Sequence, residues 1–211
     1  AVAAKRQISS AEIINVPEDF YEEFCSRFPF EETNDQFNAI HSVINDLEKG
    51  QPMDRLICGD VGFGKTEVAL RASFLTAMSG KQVAILAPTT LLARQHYETF
   101  KSRFRGFPVN ISELSRLTSK KDDVIKKINS GSSDIVIGTH SLLGDKIEFN
   151  DLGLLIIDEE QHFGVKHKEK IKKLKSNIHI LTLTATPIPR TLQLAMTGVR
   201  DLSIIASPPV D

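Results

Sequence analysis

In CGDVGFGKTEVALRASFL, residues 58–75, three glycines fall within six positions, and a Lys-Thr pair and an apolar helical pattern follow them. Glycines let successive backbone N–H groups curl around an anion without a clash from a Cβ atom. The spacing matches G-x-x-x-x-G-K-[ST], and the apolar residues 55–58 before it have the composition of a strand. The sequence therefore predicts a strand, a phosphate-binding loop and a helix, in that order.

The loop and the first turn of the helix offer several ligands to a nucleotide. The Lys65 ammonium can neutralise the β- and γ-phosphates, and the Thr66 hydroxyl can ligate Mg²⁺. The helix N-terminus adds free N–H groups and the positive end of its dipole. A glycine-rich turn without a ligand is the alternative, but the flanking strand and helix favour a phosphate loop. We predict nucleotide contacts from Gly59, Asp60, Val61, Gly62, Phe63, Gly64, Lys65, Thr66 and Glu67.

Short apolar runs recur along the chain, with helical patterns between most of them. They occupy residues 55–59, 82–88, 134–139, 152–158 and 178–184, and residues 108–115 form a weaker, alternating run. Near-continuous apolar strands separated by helices are typical of a parallel sheet covered on both faces. We predict an α/β fold with a doubly wound, mostly parallel sheet. Its domain spans residues 16–211, and residues 1–15 form a linker or N-terminal extension.

Composition narrows the setting in which the chain works. The net charge is −1, so no global basic field indicates nucleic acid, although local patches remain open. Cys25 and Cys58 lie outside any CxxC or Cys/His cluster, which indicates a reducing compartment and argues against a metal site built on cysteine. No apolar run reaches the ~20 residues of a membrane span. We expect a cytoplasmic protein without a membrane segment.

An acidic motif, DEEQ at residues 158–161, begins at the end of the apolar run 152–158. Parallel strands deliver their carboxyl ends to one edge of a sheet, where such folds bind ligands. There Asp158 can hold Mg²⁺, and Glu159 can orient or deprotonate an attacking water. The alternative is a solvated helix start, since acidic residues are favoured at that position in any case. The phosphate loop and the preceding strand favour the functional interpretation.

Five motifs occur in the order GDVGFGKT, APTTLLARQH, IGTHSLL, DEEQ and TATPIPRTL. Together they resemble the first RecA-like motor domain of superfamily 2 helicases and translocases. The longer forms GDVGFGKTEVA, DEEQHFGVKHKEKIK and LTLTATPIPRTL are similar to those of bacterial transcription-repair coupling factors. RecG-type branch-migration helicases are the nearest relative, and they have the same catalytic residues.

The resemblance implies an ATP hydrolase with Lys65, Asp158 and Glu159 as catalytic residues and Thr66 and Asp158 as Mg²⁺ ligands. FPFEETNDQ, residues 28–36, resembles the glutamine motif that reads adenine. Gln36 would then contact the adenine edge and Phe30 would stack on the base, with core packing as the alternative for Phe30.

The same resemblance implies a DNA track and a coupling motif. The residues expected to contact DNA phosphates are Thr89, Thr90, Arg94, Thr139 and His140. The alternative for Arg94 is a solvated surface arginine, and that for His140 is a structural or surface histidine. Gln161, Thr184 and Thr186 would couple the nucleotide site to that track. The lysines of residues 166–175 either solvate a helix face or line the duplex groove.

The implied partners are double-stranded DNA and a second RecA-like domain of the same protein. Such motors push stalled RNA polymerase from a lesion and recruit excision-repair proteins, here through domains outside this chain. The second domain normally supplies an arginine finger, so we expect the 211-residue chain alone to bind nucleotide weakly and turn over little ATP. A RecG-type helicase is one alternative. A small-molecule phosphotransferase built on the same loop is another.

Overall fold

The computed structural model describes residues 10–11, 13–174 and 177–209. Seven strands form one sheet: β1 Asp54–Gly59, β2 Gln82–Leu86, β3 Ile111–Leu114, β4 Ile135–Gly138, β5 Leu152–Asp158, β6 His179–Thr184 and β7 Asp201–Ile205. The helices are α1 Glu18–Ser26, α2 Asn34–Glu48, α3 Lys65–Met78, α4 Thr90–Arg103, α5 Lys121–Ser130, α6 Val165–Leu174 and α7 Arg190–Met196. Short 3₁₀ turns lie at His140–Leu143 and Glu160–His162.

All strand pairs are parallel, in the order β3-β4-β2-β5-β6-β1-β7. The strand order reverses between the β1 and β2 halves, as in doubly wound folds. One apolar core packs α1–α4 against the sheet, and a second lies beneath α5 and α6. The predicted fold class is confirmed.

Each strand predicted from an apolar run is present, and one further strand was missed. Within residues 201–205 only Ile205 is buried and the other four residues are exposed or half-buried, because β7 lies at the edge of the sheet beside β1. Their mixed composition gave no continuous apolar signal, and the strand becomes evident from its parallel pairing with residues 55–59 of β1.

Part of the predicted N-terminal extension is attached to the domain. Residues 1–9 and 12 lie outside the described residues. The Ala11 N–H donates to Gly50 O at 2.9 Å, and the Ile14 N–H donates to Leu47 O at 3.2 Å. Because Ile14 is buried against the end of α2, the last residues of this segment contribute to the core.

Among the described residues, no helix has both the length and the apolar character that crossing a bilayer requires.

Candidate active site

The phosphate loop and the acidic motif meet at one edge of the sheet. β6 lies between β1 and β5, with Cys58 opposite Thr184 and Asp158 opposite Leu183. The carboxyl ends of these three strands therefore converge. They border a cleft of about 510 Å³ whose lining includes Gly62, Gly64, Lys65, Thr66, Asp158 and Glu159. The predicted convergence of the two motifs is confirmed.

Two glycines give the phosphate loop its shape. Gly62 and Gly64 have φ angles of 84° and 87°, in the left-handed region that other residues avoid. A Cβ atom on Gly64 would lie 2.2 Å from Gln36 Nε2, so this position also requires a bare backbone for close approach. The loop thus leads directly into α3, whose first residues, Lys65 and Thr66, line the cleft.

Lys65 lies within the curl of the loop. Its Nζ donates to the carbonyls of Gly59 and Asp60, the latter at 2.9 Å. Desolvation lowers the pKa of the Lys65 ammonium, and the Glu159 and Asp158 carboxylates oppose that shift. An anion entering the loop would replace two neutral carbonyls with a charged partner for this ammonium.

The side chains of Thr66 and Asp158 supply a hydroxyl and a carboxylate to the same cleft. Oxygen donors of this kind are those that Mg²⁺ prefers, usually alongside phosphate oxygens and water. The residues present therefore fit a magnesium ion bound with a nucleotide.

Gln36 is placed differently from an adenine reader. It is fully buried, and with Thr33 it forms a reciprocal capping box at the start of α2. Its Nε2 donates to Phe63 O at 2.9 Å, which ties α2 to the phosphate loop. The amide thus has one partner in the capping box, the Thr33 N–H, and one in the phosphate loop, the Phe63 carbonyl.

The two aromatic residues upstream of the phosphate loop, Phe28 and Phe30, differ in their surroundings. Phe30 is 48% exposed and lies edge-to-face against Phe28, with ring centroids 5.7 Å apart. Phe28 and Pro29 line a second groove, of about 540 Å³, which also contacts Gly64 and Thr66. Phe28, rather than the predicted Phe30, thus borders the groove beside the loop, whereas Phe30 keeps a free ring at the surface.

Glu67 is a correction to the predicted nucleotide contacts. Its carboxylate is buried and accepts from Arg71 Nε at 2.9 Å and from Arg103 Nη1 at 2.5 Å. Its backbone N–H donates to Gly64 O. Because a buried carboxylate requires charged partners, Glu67 serves to join α3 to α4 and does not face the cleft.

Asp158 has a partner that the sequence analysis did not assign. The His96 Nε2 atom of α4 lies 2.8 Å from Asp158 Oδ2, and both side chains are largely buried. α4 follows β2, which pairs with β5 in the sheet. That neighbourhood brings the helix against the end of the acidic strand.

Glu159 is held by the segment that follows β6. Its Oε1 accepts from the Ala185 N–H at 2.8 Å, and its Oε2 accepts from the Thr184 hydroxyl at 3.2 Å and from Gln161 Nε2 at 2.5 Å. Gln161 Nε2 also lies 3.3 Å from Thr186 Oγ1. The structure therefore brings all three predicted coupling residues into one hydrogen-bond network with Glu159. The φ of 52° at Glu159 is a strained value of the kind found at functional sites.

The first group of predicted DNA contacts lies at the start of α4. Thr89 is exposed and caps the helix by accepting from the Leu92 N–H at 3.2 Å. Thr90 is half-buried in the first turn. Arg94 is 53% exposed, and its Nε lies 3.3 Å from the buried carboxylate of Glu113. The arginine is therefore partly committed within the protein.

The second group follows β4. Thr139 is only 4% exposed, and its hydroxyl shares a long hydrogen bond with Ser141, so its side chain faces the protein. His140 is exposed and stacks on His167 of α6, with centroids 5.0 Å apart. α6 carries five lysines and one glutamate. Its Lys170 donates to Leu143 O at 2.9 Å, which fixes this basic helix against the His140 turn.

Sequence reasoning missed the residues whose partners lie far along the chain. His96 and Asp158 are 62 positions apart, and Glu67 and Arg103 are 36 apart. Arg200 likewise reaches Glu160 of the acidic motif across 40 positions, at 3.3 Å. The only available signal was that charged side chains on buried helix faces require partners.

The assembled site can be compared with known proteins. A family model described as DEAD/DEAH box helicase matches residues 33–195, which include the phosphate loop and both acidic residues. The chain belongs to the DEAD/DEAH box helicase family. Within that family, the predicted similarity to transcription-repair coupling factors is also confirmed.

Two such helicase-family relatives are transcription-repair-coupling factors. That of Bacillus subtilis is 56% identical over 208 residues, which is 98% of this chain and 18% of the relative. That of Escherichia coli K12 is 58% identical over 191 residues, covering 90% of this chain and 17% of the relative. The chain therefore spans less than a fifth of the length of these two relatives.

A solved structure of RecG bound to a three-way DNA junction has the same fold. It superposes with a TM-score of 0.83 at 33% sequence identity, covering 98% of this chain and 28% of RecG. A more distant helicase structure, that of Pyrococcus furiosus Hef, matches with a TM-score of 0.56 at 22% identity and supports the fold alone.

Proposed function

We propose that the chain is the ATP-binding motor domain of a bacterial, cytoplasmic double-stranded DNA translocase that hydrolyses ATP to move along the duplex. The observation that carries the proposal is the shared cleft of Lys65, Thr66, Asp158 and Glu159. These residue types are the ones that phosphoryl transfer to water requires: a cationic side chain that binds phosphate, two magnesium ligands and a carboxylate that positions water.

Each residue has a defined task in hydrolysis. The loop N–H groups and Lys65 would bind the β- and γ-phosphates, and Thr66 and Asp158 would hold Mg²⁺. The bound ion would neutralise charge that develops on the phosphate oxygens. Glu159 would orient the water that attacks the γ-phosphorus and take its proton, while the bond from the γ-phosphorus to the leaving ADP oxygen breaks. Its carboxylate is held by Ala185 N–H and Thr184 Oγ1.

The same hydrogen-bond network would couple the nucleotide site to the DNA-binding surface, which is the track. Gln161 and Thr186 connect Glu159 to the segment after β6, so a change at the γ-phosphate alters the bonds of that segment. Hydroxyls and basic side chains without a base-reading pattern suit DNA phosphates. We assign the track to the α4 start, with Thr89, and to the exposed face around His140 and α6.

The name of the relatives suggests the setting of the motor. In the longer protein, a second RecA-like domain would close over this cleft and supply an arginine finger. Further domains would contact RNA polymerase and excision-repair proteins. The RecG match favours a second candidate, a branch-migration helicase, which would use the same residues within this domain.

Binding measurements test the proposal on the 211-residue chain. We expect calorimetry to give Mg-ATP binding that is lost in Lys65→Ala and retained in Lys126→Ala, an exposed lysine of α5. Duplex DNA should bind with an affinity that falls steeply as salt rises. Mg-ATP binding without any duplex affinity would favour the phosphotransferase alternative, and absence of Mg-ATP binding would refute the nucleotide site.

A further inference from the structure

His96 lines the cleft and contacts Asp158, but it has no role in the reaction proposed above. It lies in the second turn of α4, and its Nε2 is 2.8 Å from Asp158 Oδ2. The His96 side chain is 13% exposed and that of Asp158 is 14% exposed. The pair is therefore shielded from water on most sides, which strengthens a hydrogen bond and limits the freedom of both side chains.

The chemistry of the pair fixes the direction of this bond. An ionised carboxylate can only accept hydrogen bonds, so Nε2 must carry the hydrogen and donate it to Oδ2. The bond occupies one carboxylate oxygen and leaves the other without this partner, on a residue that lines the cleft. Carboxylates that ligate metals are generally oriented by such an outer partner, and losing it typically costs 10–100-fold in metal affinity or activity.

We propose that His96 is a positioning residue, which orients the Asp158 carboxylate for Mg²⁺ and thereby links α4 to the nucleotide site. The inference rests on the proposed function, because it gives His96 a task only if Asp158 holds the ion. It assigns to α4 a role distinct from the network of Glu159, which runs through the segment after β6.

The rest of α4 supports a connecting role for this helix. Its N-terminus carries Thr89, the predicted phosphate contact, and its last residue, Arg103, pairs with Glu67 directly after Thr66 in sequence. One helix therefore contacts both elements that would hold the ion. Because a helix is stiff along its axis, a shift at the Thr89 end reaches both contacts.

Manganese affinity provides a direct test, because Mn²⁺ can replace Mg²⁺ and is visible by electron paramagnetic resonance. We expect His96→Ala to weaken Mn²⁺ binding to the ADP complex of the 211-residue chain by about tenfold. ADP affinity in EDTA should stay unchanged. Ser102→Ala, an exposed position of the same helix, serves as the control and should match the wild type.

Conservative variants separate positioning from folding. His96→Gln retains an amide donor near the position of Nε2 and should restore most of the Mn²⁺ affinity, whereas the shorter His96→Asn should not. Equal Mn²⁺ affinity in the wild type, His96→Ala and His96→Asn would overturn the inference while leaving the nucleotide site intact. If the wild-type chain itself binds no ADP, the proposed function fails as well.

Discussion

Gln36 Nε2 donates to the carbonyl oxygen of Phe63 at 2.9 Å, so α2 holds the phosphate loop from behind through a fully buried amide. The same side chain completes the capping box with Thr33. One amide thus satisfies two backbone groups in two elements, and the conformation of the loop depends on the start of α2.

Replacing this amide should loosen the loop. Gln36→Ala leaves the Thr33 N–H and the Phe63 carbonyl without these partners, which costs about 1–3 kcal/mol. We expect urea denaturation to show that loss in the free energy of unfolding, together with weaker ADP binding. Asn38→Ala, an exposed change on the same helix, should alter neither quantity. A stable Gln36→Ala variant with wild-type ADP affinity would contradict the assigned role.

Glu67 should be more important for stability than for nucleotide contact. Glu67→Ala leaves the buried guanidinium of Arg103 without its carboxylate and leaves Arg71 with Glu32 alone, and breaking a buried pair in this way costs about 3–5 kcal/mol. Equilibrium unfolding in urea measures this loss. The exposed pair of Glu23 with Arg27 gives the comparison, since Glu23→Ala should cost about 0–1 kcal/mol. Similar small values for both variants would show that the buried network is dispensable.

Replacing Glu113 should stabilise the fold to an extent that depends on pH. Desolvation raises the pKa of its carboxyl, an effect that Glu98 adds to and the Arg94 guanidinium opposes. The folded state therefore binds this proton more tightly than the unfolded chain does. The stabilisation from the protonated form is complete below the unfolded pKa and is lost as the pH rises through the folded pKa. Glu113→Gln should raise the melting temperature at pH 7, and the gain should shrink toward pH 4. A gain of equal size at both pH values would contradict the argument.

The basic face of α6 predicts the salt dependence of DNA binding. Lys166 and Lys173 are exposed and lie seven residues apart, on one side of the helix. Each phosphate contact contributes about one to the slope of log affinity against log salt. We expect the double change Lys166→Ala and Lys173→Ala to weaken duplex binding and lower that slope by about two. The matched pair Lys126→Ala and Lys127→Ala, exposed on α5, should leave the slope unchanged. Identical slopes for the two double variants would exclude α6 from the track.

The sequence predicted the features that depend on local patterns. The phosphate loop that carries Lys65 follows one apolar strand, Asp158 ends another, and parallel strands bring their carboxyl ends to one edge. The contacts of His96 and Arg103 could not be predicted in this way, because they join residues on separate elements and arise only when the helices pack. The edge strand β7 was missed because one side of it is open to solvent.

Gln36 shows how one local pattern can support two assignments. The resemblance assigned its amide to adenine, whereas Thr-x-x-Gln before an apolar run is also the signature of a capping box. The structure has the capping box, and the remaining hydrogen bond of the amide goes to the loop. Local spacing is enough to predict the contact with Thr33, whereas the contact with Phe63 depends on the packing of α2 against the loop.

The all-parallel sheet leaves its opposite edge free for attached probes. The turn between α3 and β2 lies at the amino ends of the strands, and a Cβ atom on Gly80 would meet no atom within 4 Å. A strand of five residues separates that turn from the cleft edge by about 17 Å. A fluorophore or surface tether on this turn would therefore lie at the edge opposite the cleft. Ser79 is the position to substitute, because the φ of 89° at Gly80 disfavours other residues and Lys81 pairs with Asp151 at 2.9 Å.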